Sequence, residues 1–94
     1  MSETQSGTKT AKVEMFYKPM CPYCVRARNL LKGKGVEVNE YNAFIDADHR
    51  KAMIERAKGA RTYPQIFIDG RHVGGSDDLA ALERAGKLDA LLAG

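Results

Sequence analysis

The feature that most constrains the fold is the order of its strand and helix patterns, in which strands are separated by a helix. Residues 13–17 (V-E-M-F-Y) combine apolar alternation with aromatic side chains, which is typical of a strand. From Pro22 the apolar residues recur at intervals of three and four, which predicts a helix that Gly33 and Gly35 end. Residues 36–41 alternate again and predict a second strand. This order indicates a β-α-β unit with a parallel strand pair.

The second half of the chain predicts another helix and then a hairpin. Asp46 or Asp48 is expected to cap a helix that stops at Gly59, because short acidic side chains accept the free N–H groups at helix starts. Two short apolar runs then flank Asp-Gly at 69–70, a dipeptide that type I′ hairpin turns prefer. Ser76 is expected to cap the helix that follows the hairpin.

Residues 88–92 predict a last short helix. The complete predicted order is β-α-β-α-β-β-α plus a short terminal helix. It places the chain in the α/β class.

The length and composition fit one domain. The chain has 94 residues, of which 44% are hydrophobic. Its net charge of +3 is spread along the sequence, which argues against nucleic-acid or membrane binding. No apolar stretch approaches the roughly 20 residues that span a bilayer. We expect residues 1–12 to be a disordered leader or an expression remnant, residues 13–94 to be the domain, and the protein to be cytoplasmic.

The two cysteines, Cys21 and Cys24, are separated by only two residues. In a reducing compartment a disulfide is usually catalytic or transient. A bridge over so small a loop would also remove little entropy from the unfolded chain. The pair is therefore expected to carry out redox chemistry.

The cysteine pair falls where the first strand leads into the first helix. The free N–H groups and the positive dipole end of a helix favour the thiolate of Cys21, and Lys18 adds a nearby cation. Cys24 follows one turn later on the same helical face. We expect Cys21 to be the exposed attacking thiol and Cys24 to be the more shielded thiol that resolves a mixed disulfide.

Metal sites are the alternative interpretation of the cysteines. A structural zinc site needs four ligands, and the remaining candidates, His49 and His72, are distant in sequence, so no metal is expected. An iron–sulfur cluster shared between two chains would need only one cysteine from each chain plus outside thiols. That possibility stays open as an alternative function.

Three separated motifs occur in order: K-P-M-C-P-Y-C at 18–24, T-Y-P at 62–64 and G-G-S-D-D at 74–78. Together they resemble glutaredoxins, and specifically the classical dithiol bacterial type. The resemblance implies a thioredoxin fold, a four-stranded mixed sheet flanked by helices. It also implies glutathione as co-substrate and glutathionylated or disulfide-containing proteins as partners, ribonucleotide reductase being a typical client. A monomer is expected.

The resemblance implies a role for individual residues. Cys21 would accept glutathione as a mixed disulfide, and Cys24 would resolve it. Lys18 would meet the glycine carboxylate, and the backbone before a cis proline would pair with the cysteinyl part of glutathione. Ser76 and Asp77 would hold the γ-glutamyl end. The implied glutathione site comprises Lys18, Tyr23, Thr62, Tyr63, Pro64, Gly75, Ser76, Asp77 and Asp78.

The charged groups of glutathione support these assignments. Glutathione carries two carboxylates, which suit Lys18 and the N–H groups that open the helix at Ser76. Its ammonium group suits the carboxylate of Asp77 or Asp78. Glycines at 74–75 would let the chain approach a ligand closely.

Two positions depart from the family pattern. Tyr63 stands where valine is usual, and Met20 stands where a small polar residue is more common; both concern substrate preference. His72 is expected to be a strand residue without a catalytic role. The predicted function is glutathione-dependent reduction of mixed and protein disulfides. The alternatives are a glutathione-ligated iron–sulfur carrier and a thioredoxin-like electron carrier reset by a flavoenzyme reductase.

Overall fold

The computed structural model of the chain describes residues 10–94 and has the predicted order of strands and helices. The elements are β1 (Val13–Tyr17), α1 (Pro22–Gly33), β2 (Val38–Asn42), α2 (Ala47–Arg56), β3 (Gln65–Ile68), β4 (Arg71–Gly74), α3 (Ser76–Arg84) and α4 (Leu88–Leu92). Among these residues no helix is long and apolar enough to cross a membrane.

The four strands form one mixed sheet in the order β2-β1-β3-β4. β1 pairs in parallel with β2, whereas the β1–β3 and β3–β4 pairs are antiparallel. Asp69 and Gly70 join β3 to β4 with φ angles of 51° and 78°, as a type I′ turn requires. Because β1 and β2 are parallel, the connections that follow them leave the sheet at the same edge.

The central strand β1 is covered on both faces, which explains why four of its five residues are buried. Val13 and Met15 belong to a core cluster that includes residues of α1, α3 and α4. Phe16 belongs to a second cluster with Phe67 of β3 and Met53 of α2. The two clusters fix both faces of the strand that leads to the cysteine pair.

The structure decides two helix caps and one strand boundary that the sequence left open or predicted differently. Asp46, not Asp48, caps α2, and its carboxylate accepts the N–H groups of Asp48 and His49 at 2.9 and 3.2 Å. Ser76 is not a cap, because Gly75 occupies that position and Ser76 is the first residue of α3. β2 begins at Val38 instead of residue 36.

The predicted leader, residues 1–12, lies mostly outside the described residues. Its described part is hydrogen-bonded to the end of the chain and to the hairpin. Thr10 Oγ1 donates to the carbonyl of Ala93, and the N–H of Lys12 donates to the Asp69 carboxylate at 2.8 Å. These bonds fix the path of the backbone into β1.

Candidate active site

Cys21 lies at the junction between β1 and α1 and is the N-cap residue of α1. Its Sγ accepts the N–H of Cys24 at 3.4 Å, so the sulfur faces the free donors at the helix start. Met20 precedes it in the left-handed conformation, with φ of 57°, and its side chain is 98% exposed. The turn therefore directs the sulfur inward and the methionine outward.

The prediction that Cys21 is an exposed thiol is wrong for the whole residue, which is only 4% exposed. The reason is the cap itself, since the side chain folds back over the first turn of α1 to accept the Cys24 N–H. Cys24 is still more enclosed, at 1% exposure. Both thiols are free.

Burial distinguishes Cys24 chemically. Removal from water disfavours its thiolate and, together with its hydrogen bond with Cys21, raises the pKa of Cys24 to about 11. Cys24 is therefore protonated at neutral pH. The pair therefore combines a protonated, enclosed thiol at Cys24 with the thiol of the N-cap residue Cys21 one helical turn earlier. The two thiols are chemically different.

A groove of about 410 Å³ lies along the T-Y-P segment and the start of α3. It brings together eight of the residues that the sequence predicts for the glutathione site: Tyr23, Thr62, Tyr63, Pro64, Gly75, Ser76, Asp77 and Asp78. Ala60, Gln65, His72 and Gly74 complete the lining. Within residues 10–94 no three His, Cys, Asp or Glu side chains converge as a metal site requires.

Cys21 and Cys24 are not among the residues that line this groove, and neither is Lys18. Its ammonium nitrogen instead lies 5.8 Å from the ring centroid of Tyr63, within the range of a cation–π contact. The Tyr63 hydroxyl donates to the carbonyl of Ala43 at 3.2 Å, and the Tyr63–Pro64 peptide bond is cis. Tyr63 thus connects the groove to the loops that follow β1 and β2.

Of the two glycines that precede α3, Gly74 has a neighbour that excludes a side chain, whereas Gly75 leaves room for a Cβ at ordinary contact distance. Gly74 has a φ of 118°, and a Cβ there would collide with the carboxylate of Asp78. A Cβ on Gly75 would stand 3.4 Å from the carbonyl of Pro64. Gly74 thus has a structural role in its packing against Asp78, and the expectation that the two glycines let the chain approach a ligand stays a prediction.

The two carboxylates at the start of α3 have different partners. Asp78 accepts the N–H of Gly75 at 2.9 Å and so satisfies a free donor of the helix. Asp77 is 90% exposed and lies 3.4 Å from the guanidinium of Arg26 on α1. Of the two carboxylates predicted to meet an ammonium group, Asp77 is the more available.

Among the groove residues missing from the predicted site, two have polar side chains, Gln65 and His72. The Gln65 amide nitrogen donates to the carbonyl and the hydroxyl of Thr62, both at 3.0 Å. Its amide oxygen lies 2.6 Å from Nε2 of His72, whose ring stacks on Phe67 with centroids 5.0 Å apart. The available signal was the strand alternation, because Gln65 is a polar residue in an otherwise apolar run.

Comparison with known proteins gives one consistent family. A profile of the glutaredoxin family matches residues 13–73. Glutaredoxin 3 of Escherichia coli strain K12 is 51% identical over 82 residues, covering 87% of this chain and 98% of the relative.

Two solved structures extend the match to the fold. The solution structure of a Brucella melitensis glutaredoxin has a TM-score of 0.76 and 51% identity, covering 89% of this chain and 90% of that one. A buckwheat glutaredoxin–glutathione complex has a TM-score of 0.77 and 30% identity, covering 90% and 79%. With the cysteine pair at a helix start and a groove beside it, these matches establish that the chain belongs to the glutaredoxin family of thiol–disulfide oxidoreductases.

Proposed function

We propose that this chain reduces glutathione mixed disulfides and protein disulfides, with Cys21 as nucleophile and Cys24 as resolving thiol. The observation that carries the proposal is the difference between the two thiols at one helix start. Cys21 Sγ accepts a backbone N–H, as a thiolate would, whereas burial raises the pKa of Cys24 to about 11 and keeps it protonated. The cycle therefore begins at Cys21.

In the one-cysteine mode, the Cys21 thiolate attacks the glutathione sulfur of a glutathionylated protein. A disulfide forms between Cys21 and glutathione, and the protein leaves as a thiolate that takes a proton from water. A second glutathione thiolate then attacks the glutathione sulfur of this mixed disulfide. It forms oxidised glutathione and restores the Cys21 thiolate, so one free glutathione is consumed and the glutathione removed from the protein leaves as the other half of the oxidised product.

In the two-cysteine mode, Cys21 first forms a mixed disulfide with one sulfur of a protein disulfide. Cys24 loses its proton and attacks the Cys21 sulfur, which releases the second protein thiolate and closes a Cys21–Cys24 disulfide. Two glutathiones reduce this disulfide. The high pKa of Cys24 keeps this thiol protonated while Cys21 makes the first attack.

We place glutathione in the groove beside the T-Y-P segment. The buckwheat relative was solved with glutathione bound, and the groove of this chain offers groups that suit the tripeptide's charges. The N–H groups at the start of α3, next to the buried Ser76, suit a carboxylate. The exposed carboxylate of Asp77 suits the ammonium group, and the Lys18 cation next to Tyr63 suits the other carboxylate.

The remaining groove residues would shape the ligand's path. Tyr23 is 55% exposed at the first turn of α1 and would cover the sulfur end. Thr62, Tyr63 and Pro64 would present backbone groups to an extended peptide. A small reductase of this kind would act as a cytoplasmic monomer on glutathionylated proteins, and ribonucleotide reductase is one candidate client.

The test is reduction of a small glutathione mixed disulfide, coupled to glutathione reductase and NADPH. Wild type should turn over, and Cys21→Ser should abolish turnover while the protein stays folded. Absence of turnover by a folded, reduced wild type would favour the carrier reset by a flavoenzyme reductase. Visible absorbance of a dimer purified without oxygen would favour the iron–sulfur carrier.

A further inference from the structure

An ion pair joins α1 to α3 at the rim of the groove. Nη2 of Arg26, an exposed residue of α1, donates to Oδ1 of Asp77 at 3.4 Å. Asp77 lines the groove, and among the ion pairs between residues in the range 10–94 this is the one that includes a groove-lining residue. A cation therefore stands directly beside the carboxylate that we assign to the ammonium group of glutathione.

A second contact holds Arg26 from the side of the cysteine pair. Its guanidinium carbon lies 5.7 Å from the ring centroid of Tyr23, within the range of a cation–π contact. Tyr23 lies between the two cysteines, three residues before Arg26 on the same face of α1, and it also lines the groove. Arg26 thus contacts a groove-lining residue on each of the two helices, which limits the positions that its long side chain can take.

The guanidinium of Arg26 can bind a second carboxylate. A guanidinium has five N–H donors in a planar fork that suits carboxylates. The bond to Asp77 uses one of them, and the Arg26 side chain is 59% exposed, so a ligand can reach the others. The Asp77 side chain is exposed as well, and its carboxylate can accept a ligand ammonium without losing Arg26.

The two charges of this pair match those of an α-amino-acid group. In the glutamyl end of glutathione the ammonium and one carboxylate are bonded to the same carbon, so about 3 Å separates the nitrogen from the nearer oxygen. Binding of the ammonium by Asp77 therefore places that carboxylate within reach of the Arg26 guanidinium, which lies 3.4 Å from the Asp77 oxygen. The four charges then alternate, and each has opposite charges as its neighbours.

We propose that Arg26 and Asp77 recognise the α-amino-acid end of the glutamyl group as a unit, with Asp77 binding the ammonium and Arg26 binding the carboxylate on the same carbon. The free N–H groups at the start of α3 share this carboxylate. Arg26 is thereby a specificity residue for thiols that carry a γ-glutamyl group. This assignment rests on the proposed function and specifies how the groove selects its thiol.

Two mixed disulfides with 2-mercaptoethanol test the assignment. One contains glutathione, and the other contains the analogue with a γ-aminobutyryl group in place of γ-glutamyl, which lacks only the α-carboxylate. Excess reduced protein attacks each substrate once. The Cys21 thiolate forms a disulfide with the tripeptide sulfur, and 2-mercaptoethanol leaves as a thiolate that takes a proton from water.

The loss of substrate after acid quenching gives the second-order rate constant of this attack without any coupling enzyme. We expect the wild type to react about fivefold faster with the glutathione substrate than with the analogue, an effect of the size that an exposed ion pair gives.

Three variants separate the charge of Arg26 from the general charge of the protein. Arg26→Gln should slow the attack on the glutathione substrate about threefold to fivefold and keep the rate with the analogue within about twofold of the wild type, because the analogue has no carboxylate to lose. Arg26→Lys should restore part of the difference, since it returns the charge without the planar fork. Lys32→Gln removes the same charge from the last turn of α1 and should change neither rate.

The dependence on the α-carboxylate decides the outcome. Loss of the wild-type preference in Arg26→Gln, with the rate for the analogue kept, supports the assignment. Equal slowing of both substrates by Arg26→Gln would overturn it, as would a wild type that reacts equally with both, or a Lys32→Gln variant that is slowed as much as Arg26→Gln. A folded, reduced wild type that attacks neither substrate would instead refute the proposed function.

Discussion

Nε2 of His72 lies 2.6 Å from the amide oxygen of Gln65, and the bond fixes the orientation of both side chains. The Thr62 carbonyl can only accept, so the Gln65 amide nitrogen must face it and the amide oxygen must face His72. His72 Nε2 therefore carries the hydrogen. This chain of bonds holds the segment just before Tyr63, whose backbone we assign to glutathione.

Gln65→Leu should weaken glutathione binding more than it slows the chemistry. The variant frees the Thr62 carbonyl and removes the partner of His72, so we expect KM for glutathione to rise about fivefold with a smaller change in kcat. The unfolding free energy should fall by about 1–3 kcal/mol, the cost of leaving buried polar groups without partners. Steady-state kinetics and urea unfolding measure the two effects.

His72→Phe is the matched control, because a phenyl ring can keep the stack on Phe67 while losing the donor. It should change KM in the same direction but less than Gln65→Leu does. Nitrogen-15 NMR of the wild type should show the neutral ring protonated on Nε2. A neutral ring protonated on Nδ1 would contradict the hydrogen-bond assignment.

Cys24→Ser should separate the two modes of reduction. Reduction of a small glutathione mixed disulfide needs only Cys21, so we expect it to stay within about twofold of the wild type. Reduction of a protein disulfide needs the resolving thiol and should fall at least about tenfold, since the mixed disulfide then waits for glutathione. Insulin turbidity and the coupled NADPH assay measure the two modes. Equal loss in both would refute the assigned roles.

The buried Glu14 of β1 and the half-buried Arg56 at the end of α2 form an ion pair that makes stability depend on pH. The guanidinium donates to both carboxylate oxygens, at 2.8 and 3.2 Å, and these bonds lower the pKa of Glu14 below its usual range. A lowered folded-state pKa stabilises the folded protein above the unfolded-state value of about 4.3. That stabilisation is lost as pH falls through the folded-state pKa.

Glu14→Gln removes this charge at constant shape. We expect the variant to be less stable than the wild type by about 1–2 kcal/mol near neutral pH. The difference should shrink toward zero as pH falls through the lowered folded-state pKa of Glu14, because below it Glu14 is protonated in both states. Urea unfolding across this range measures it. A difference that is independent of pH would show that the pair's charge does not contribute.

The fold was predictable because its local patterns agree with its tertiary contacts. The periodicity from Pro22, and the Asp-Gly turn at 69–70 with its two positive φ angles, match the observed α1 and hairpin. The start of β2 was not predictable, because Val36 is buried at 7% exposure as a core residue without being part of the strand. An apolar residue can serve packing or pairing, and alternation does not distinguish them.

The lining of the groove was predictable where it comes from sequence motifs. It was not predictable where it comes from contacts between side chains of different elements. The residues of the T-Y-P segment and the start of α3 line it as expected. Gln65 and His72 line it because of the register of the β3–β4 hairpin, which has a shift between Ile66 and Phe67 that the Asp-Gly turn alone does not encode. Ser76 was expected to cap α3 because serine is a preferred cap residue. The N–H of Gly75 instead donates to the carboxylate of Asp78. Cys21 was expected to be exposed, but exposure depends on its rotamer.

Lys18 and Tyr63 should be coupled energetically in glutathione binding. The ammonium lies 5.8 Å from the ring centroid, and an exposed contact of this kind contributes about 0.5–1 kcal/mol. In a double-mutant cycle of Lys18→Met and Tyr63→Leu, we expect the double variant to lose less kcat/KM for glutathione than the product of the two single losses. The difference should be a factor of about two to five. The ring would thus position the cation that meets a glutathione carboxylate.

Tyr63→Phe separates the ring from the hydroxyl, because phenylalanine keeps the cation–π contact and loses the bond to the Ala43 carbonyl. A cycle built on this variant in place of Tyr63→Leu should show little coupling with Lys18→Met, since the ring remains. Lys51→Met, which removes an exposed lysine on α2, should leave kcat/KM for glutathione unchanged. Multiplicative losses in the cycle with Tyr63→Leu would mean that Lys18 acts independently of the ring, so that the tyrosine matters only through its backbone.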